Sequence, residues 1–146
     1  MALVDRALTL NPSFARGWFI SGLVSVIGGC VDRAIEHTGI SQRLSPRARV
    51  GHPFNLIGAA HLFSRRFEDA RPNLILAIQE DPAFPEPYRH LAACYAHMGR
   101  LDEARDAVTR LRAITPVVIP TVIPYRNPAH RELFLSGLRL AAGDPE

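Results

Sequence analysis

The chain has 146 residues, of which 47% are hydrophobic and 21% charged, and its net charge is +3. That length and apolar content suit a single globular domain with its own core and exclude a disordered chain. Its cations are interspersed with acidic residues rather than gathered in a run, which argues against nucleic acid as the partner.

No stretch reaches the roughly 18 uninterrupted apolar residues of a membrane span. The most apolar one, Trp18 to Cys30, is broken by Ser21, Ser25 and three glycines. The N-terminus lacks the basic start, apolar centre and cleavage site of a signal peptide, so the expected location is the cytoplasm and no membrane partner is expected. Cys30 and Cys94 each fall inside an apolar helical pattern and read as buried free thiols of a reducing compartment.

In chain order, apolar periodicity predicts helices over residues 2–10, 13–28, 31–44, 50–64, 67–80, 85–98, 101–114 and 128–141. Prolines punctuate them. Pro12, Pro46, Pro82 and Pro116 follow one another at spacings of 34, 36 and 34 residues. Each proline withholds the backbone N–H that would continue the helix before it. Aligned on these prolines, three alanines superpose (Ala34, Ala70, Ala104), as do three aromatics (Trp18, Phe54, Tyr88). A small residue stands one turn after each aromatic (Gly22, Gly58, Ala92), and Gly29, Arg65 and Gly99 share the turn between helices. An aromatic knob with small residues opposite it lets two helices approach closely. Asp32 and Asp102 near helix starts, and Asn127 before Pro128, suit N-terminal capping and dipole compensation.

The expected organisation of residues 1–146 is one domain: a half-repeat at 1–12, full repeats at 13–46, 47–82 and 83–116, an extended linker at 117–126 and a capping helix at 127–143. The second repeat carries two extra residues around Arg47 to Val50. Half a repeat leaves an apolar edge, so the start of the chain is an expected site for homodimer formation. The linker is apolar and proline-broken, so it is expected to pack extended along the last repeat.

At these positions the sequence resembles the tetratricopeptide repeat (TPR) family, over residues 1 to about 116. The third repeat carries the pattern best, in Tyr88, Leu91, Ala92, Tyr95, Gly99, Ala104 and Pro116; Ser21, Ser25, His61, Thr38, Leu74 and Val108 depart from it. The resemblance implies an all-α fold of helix-turn-helix units stacked in a right-handed superhelix, and a non-catalytic module that binds a protein or peptide. The run from Pro124 to Arg139 resembles the end of TPR segments attached to bacterial class III adenylate cyclases and some winged-helix regulators, which implies a regulatory appendage. The cyclase's paired metal-binding aspartates have no counterpart.

By the family's pattern, the first helix of each repeat lines a concave groove. The partner-binding positions this implies are Arg16, Phe19, Leu23 and Val26 from the first repeat, His52, Asn55, Leu62 and Phe63 from the second, and Arg89, His90 and His97 from the third. Arg89, His90, Asn55 and His52 would supply polar selectivity, and Arg89 a preference for acidic ligands. Phe19, Leu23, Leu56 and Glu86 stand where family members that clamp a terminal carboxylate carry Lys, Asn and Arg, so a chaperone tail is not the expected ligand.

Chemistry is not expected. His90 and His97 lie seven residues apart, too far for one ion from one helix. Cys94 follows His90 by four residues, yet no oxyanion hole or activating environment accompanies the pair. No cofactor, metal or catalytic residue is predicted.

Overall fold

A computed structural model describes residues 2–47 and 51–143. Among them all regular structure is helical: α1 (Ala2–Leu10), α2 (Ala15–Gly28), α3 (Val31–Leu44), α4 (Pro53–Phe63), α5 (Phe67–Glu80), α6 (Glu86–His97), α7 (Leu101–Arg112) and α8 (Pro128–Ala142). The helices α2 with α3, α4 with α5, and α6 with α7 pair across short turns, and each pair stacks on the next. The chain is an α-solenoid.

Several helix ends differ from the expectation. The second helix starts at Ala15, because Asn11 to Phe14 form a turn closed by Phe14 N–H donating to Asn11 O at 3.2 Å. The fourth starts at Pro53, whose fixed φ suits a first helical position. Of the extra residues around Arg47 to Val50, positions 48–50 lie outside the described residues. Asn127 caps α8 by accepting from the N–H groups of Ala129 (2.9 Å) and His130 (3.4 Å). Asp32 and Asp102 stand in the first turns of α3 and α7, where they favour the helix dipole without capping it.

The aligned small residues sit at the helix crossings. Ala34, Ala70 and Ala104 are fully buried, and a Cβ on Gly58 would stand 2.6 Å from Leu74. The aromatics tie one unit to the last: Trp18 Nε1–H donates to Pro12 O, and Tyr88 O–H to Pro82 O, each at 2.8 Å. The aligned turn positions all take the left-handed conformation, with φ of 90° at Gly29, 57° at Arg65 and 77° at Gly99. Only Arg65 bears a Cβ there, which is sterically unfavourable. Arg65→Gly is therefore expected to stabilise the fold by about 1 kcal/mol, read as a higher denaturation midpoint; a lower midpoint would show that the Arg65 side chain contributes more than its backbone costs.

The helix α8 does not extend the stack as a simple end cap. Against the preceding pair, α4 and α6 each pack more on its second helix than on its first, whereas α8 packs mainly on α6 and less on α7. Gly137 makes this possible, since a Cβ there would stand 2.8 Å from the Ala93 backbone. The helix thereby lies over α6 and reaches α4, with Phe134 and Leu138 buried beneath it.

Candidate functional site

The segment 117–126 runs as an extended strap from the end of α7 across the inner face to the first helical pair. Prolines 116, 120, 124 and 128 recur every four residues through it, so it can neither coil into a helix nor donate a regular ladder of hydrogen bonds. Its two ends are fastened. At one, Arg89 on α6 donates through Nε to Val118 O (3.0 Å) and through Nη2 to Val117 O (2.6 Å), while Nη1 pairs with Glu86. At the other, Arg126 N–H donates to Ile27 O at the end of α2 (2.9 Å).

A buried polar relay fixes the strap between these points. His90 Nδ1 lies 2.9 Å from Asn55 Oδ1, and its Nε2 lies 2.6 Å from the Tyr125 hydroxyl. An amide oxygen can only accept, so Nδ1 carries the proton and the bare Nε2 accepts from Tyr125. Burial lowers the His90 pKa to about 4, keeping the ring neutral, and burial likewise raises that of the Tyr125 hydroxyl. Phe63 makes edge contacts with Tyr125 and stacks on His130 of α8.

This arrangement corrects the expected groove. Arg89 and His90 are 6% and 2% exposed and are occupied by the strap and its relay, so Arg89 is not free to select an acidic ligand. Leu62, Phe63 and Val26 are buried in the core, and His97 Nε2 is engaged with Leu133 O of α8 at 2.6 Å. Arg16, Phe19, Leu23, His52 and Asn55 stay accessible or half-accessible, all on α2 or at the start of α4. His52 stacks on Phe84, with ring centroids 3.9 Å apart. The strap's own contributors, chiefly Tyr125, lie outside the expected groove positions; a lone hydroxylated aromatic in an apolar linker is the signal for them.

Where the strap passes α2, α4 and the start of α6, a pocket of about 380 Å³ remains between them. Leu23, Val26, Ile27 and Leu56 form its helical wall and Pro120, Val122 and Pro124 its strap wall, with Asn55 and Glu86 among its few polar groups.

The thiol chemistry considered from sequence does not assemble. Cys94 Sγ donates to Phe67 O (3.4 Å), away from His90, and burial raises its pKa to about 12, so it is held as an unreactive thiol. Cys30 departs from the expected burial: it is an exposed N-cap residue of α3. Among the described residues, no group of three or more His, Cys, Asp or Glu could hold a metal ion. No described helix is long and apolar enough to cross a membrane.

The fold is an α-solenoid similar to those of tetratricopeptide repeat proteins. The tetratricopeptide repeat family profile matches residues 63–118. Among solved structures, MamA is similar with a TM-score of 0.69 at 19% identity, over 96% of this chain and 83% of that one. The TPR domain of Arabidopsis OM64 is similar with a TM-score of 0.65 at 15% identity, over 86% of this chain and 93% of that one. YrrB, a TPR protein with an unusual peptide-binding site, is similar with a TM-score of 0.64 at 23% identity, over 97% of this chain and 74% of that one. No curated protein matches the sequence.

Proposed function

We propose that the chain is a non-catalytic protein-interaction module that holds an extended segment of a partner polypeptide against the α2 and α4 part of its inner face. The observation that carries this reading is the strap. The α6 part of the same face already holds an extended, apolar segment of the chain itself, with two of its carbonyls taken by one arginine. Recognition of that kind rests on main-chain hydrogen bonds and pockets for side chains. The open contacts are Arg16, Leu23 and His52, bordered by half-buried Phe19 and Asn55. YrrB, similar in fold, is a TPR protein with a peptide-binding site, which supports the same reading.

The test uses an array of extended peptides probed with the wild-type chain and with Leu23→Asp. Leu23 is 39% exposed, so the fold should tolerate the change. Buried next to an apolar ligand, the new charge should weaken capture by about tenfold or more. A variant that captures the same peptides equally well would move the site off this face.

A specific observation also favours self-association. Leu3 and Leu10 on α1 are 85% and 78% exposed, and Phe14 beside them is 41% exposed. Light scattering across a wide concentration range should show a dimer that Leu10→Arg shifts to monomer; a monomer throughout would remove this second reading. The regulatory-appendage reading rests on residues 124–139. Within that run, Tyr125, Phe134 and Leu138 serve to seat the strap and α8, and it ranks below the other two.

A further inference from the structure

The pocket beside the strap is built rather than left over. A flexible segment would collapse onto an apolar hollow, because unfilled apolar volume is destabilising. Here the wall cannot sag. It is stiffened by Pro120 and Pro124, tied to Arg89 at Val117 and Val118, and tied to α2 and α6 through Arg126 and Tyr125. At about 380 Å³, apolar on most sides and bearing few polar groups, it matches the size and make-up of preformed small-molecule sites.

Its electrostatics restrict the ligand further. Glu86 is the one charged lining residue, and its side chain is 33% exposed. The neighbouring cation is committed: the three nitrogens of Arg89 are spent on one Glu86 oxygen and two strap carbonyls. An anion entering the pocket would therefore meet a carboxylate and no free positive group. A hydroxyl or ammonium group could instead donate to the remaining Glu86 oxygen.

We infer that this pocket binds a free small molecule with an aliphatic body and a neutral or cationic end, and excludes its carboxylate counterpart. The inference goes beyond partner binding and does not depend on it: the ligand is a small molecule held between the strap and α2 and α4, and the pocket shares only Leu23 and Asn55 with the partner-binding contacts.

The experiment titrates the full chain with three probes that share one six-carbon body: hexan-1-ol, hexylamine and hexanoate. Methyl resonances of Val26, Ile27 and Leu56 report binding. Hexanol and hexylamine should give saturable shifts, with hexanoate weaker by roughly tenfold. Glu86→Gln should bring hexanoate to within about threefold of hexanol. Val122 is 79% exposed at the edge of the pocket, so Val122→Trp should obstruct the site without disturbing the fold and abolish the shifts. Absence of saturation with all three probes, or hexanoate binding as well as hexanol does, would overturn the inference. So would undiminished hexanol binding by Val122→Trp.

Discussion

Lowering the pH from about 6.5 to about 4 should remove roughly 3 kcal/mol of stability through His90 alone. In the unfolded chain this histidine takes up a proton near its ordinary value of 6.5, whereas in the fold it stays neutral down to about 4. Between those values the unfolded state binds a proton that the native state lacks, so stability falls as pH falls. Above 6.5 neither state is protonated and the contribution is fully present; below 4 nothing more is lost through this group. The cause is burial, which outweighs the opposing pull of the Glu86 carboxylate; Arg89, the smallest contribution, also disfavours a second positive charge. His37, His61 and His130 are also lowered by burial and act in the same sense. The measurement is urea denaturation at pH 7 and 4.5 for the wild type and for His90→Gln. The variant should lose distinctly less stability on acidification. An identical loss in both would show that other groups carry the acid sensitivity.

Arg89→Ala should destabilise the fold by about 2–3 kcal/mol, a large effect for a polar side chain. The substitution strips the donors from Val117 O and Val118 O and leaves Glu86 without its partner. Water can reach Glu86, whose side chain is one-third exposed, so the full penalty of a buried unpaired charge does not apply. Arg89→Lys should rescue little, because one ammonium on a flexible stem cannot span three acceptors as the planar fork does. Limited proteolysis gives the discriminating readout: cleavage should appear first between residues 117 and 124. Uniform destabilisation without early cleavage in the strap would mean that Arg89 supports α6 rather than the strap. A groove arginine, by contrast, could be removed with little effect on stability.

The difference between those two roles for Arg89 marks where sequence reading succeeds and where it stops. Ala34, Ala70 and Ala104 announce their crossings because each must be small for the same geometric reason in every unit, so the reason shows as a period. The helix over residues 67–80 also reads through Pro72, and the structure keeps it intact, with the ring exposed and the apolar face of the helix dictating its course. The inner face has no such repetition. What covers Arg89 and His90 comes from residues 117–125, some 30 positions along the chain, and a pattern inherited from open solenoids assigns those side chains to a partner. The apolar, proline-broken linker pointed to extended packing but not to the face on which it lies. Cys30 shows a smaller version of the same problem: an apolar neighbourhood in sequence places it inside, whereas its position as an N-cap exposes it.

The bond from Arg126 N–H to Ile27 O has a consequence for how the molecule folds and flexes. A stack of repeats in which each unit touches only its neighbours behaves as a one-dimensional spring; it can nucleate anywhere, fray from either end and stretch along its axis. Here residues about 100 apart in sequence are joined across that spring, as a string joins the tips of a bow. The long closure slows folding relative to an open array, because the loop entropy is lost before the contact is gained. In return, the first and third helical pairs are held at one separation. The molecule should therefore melt as a single cooperative unit rather than unzip from its C-terminal end.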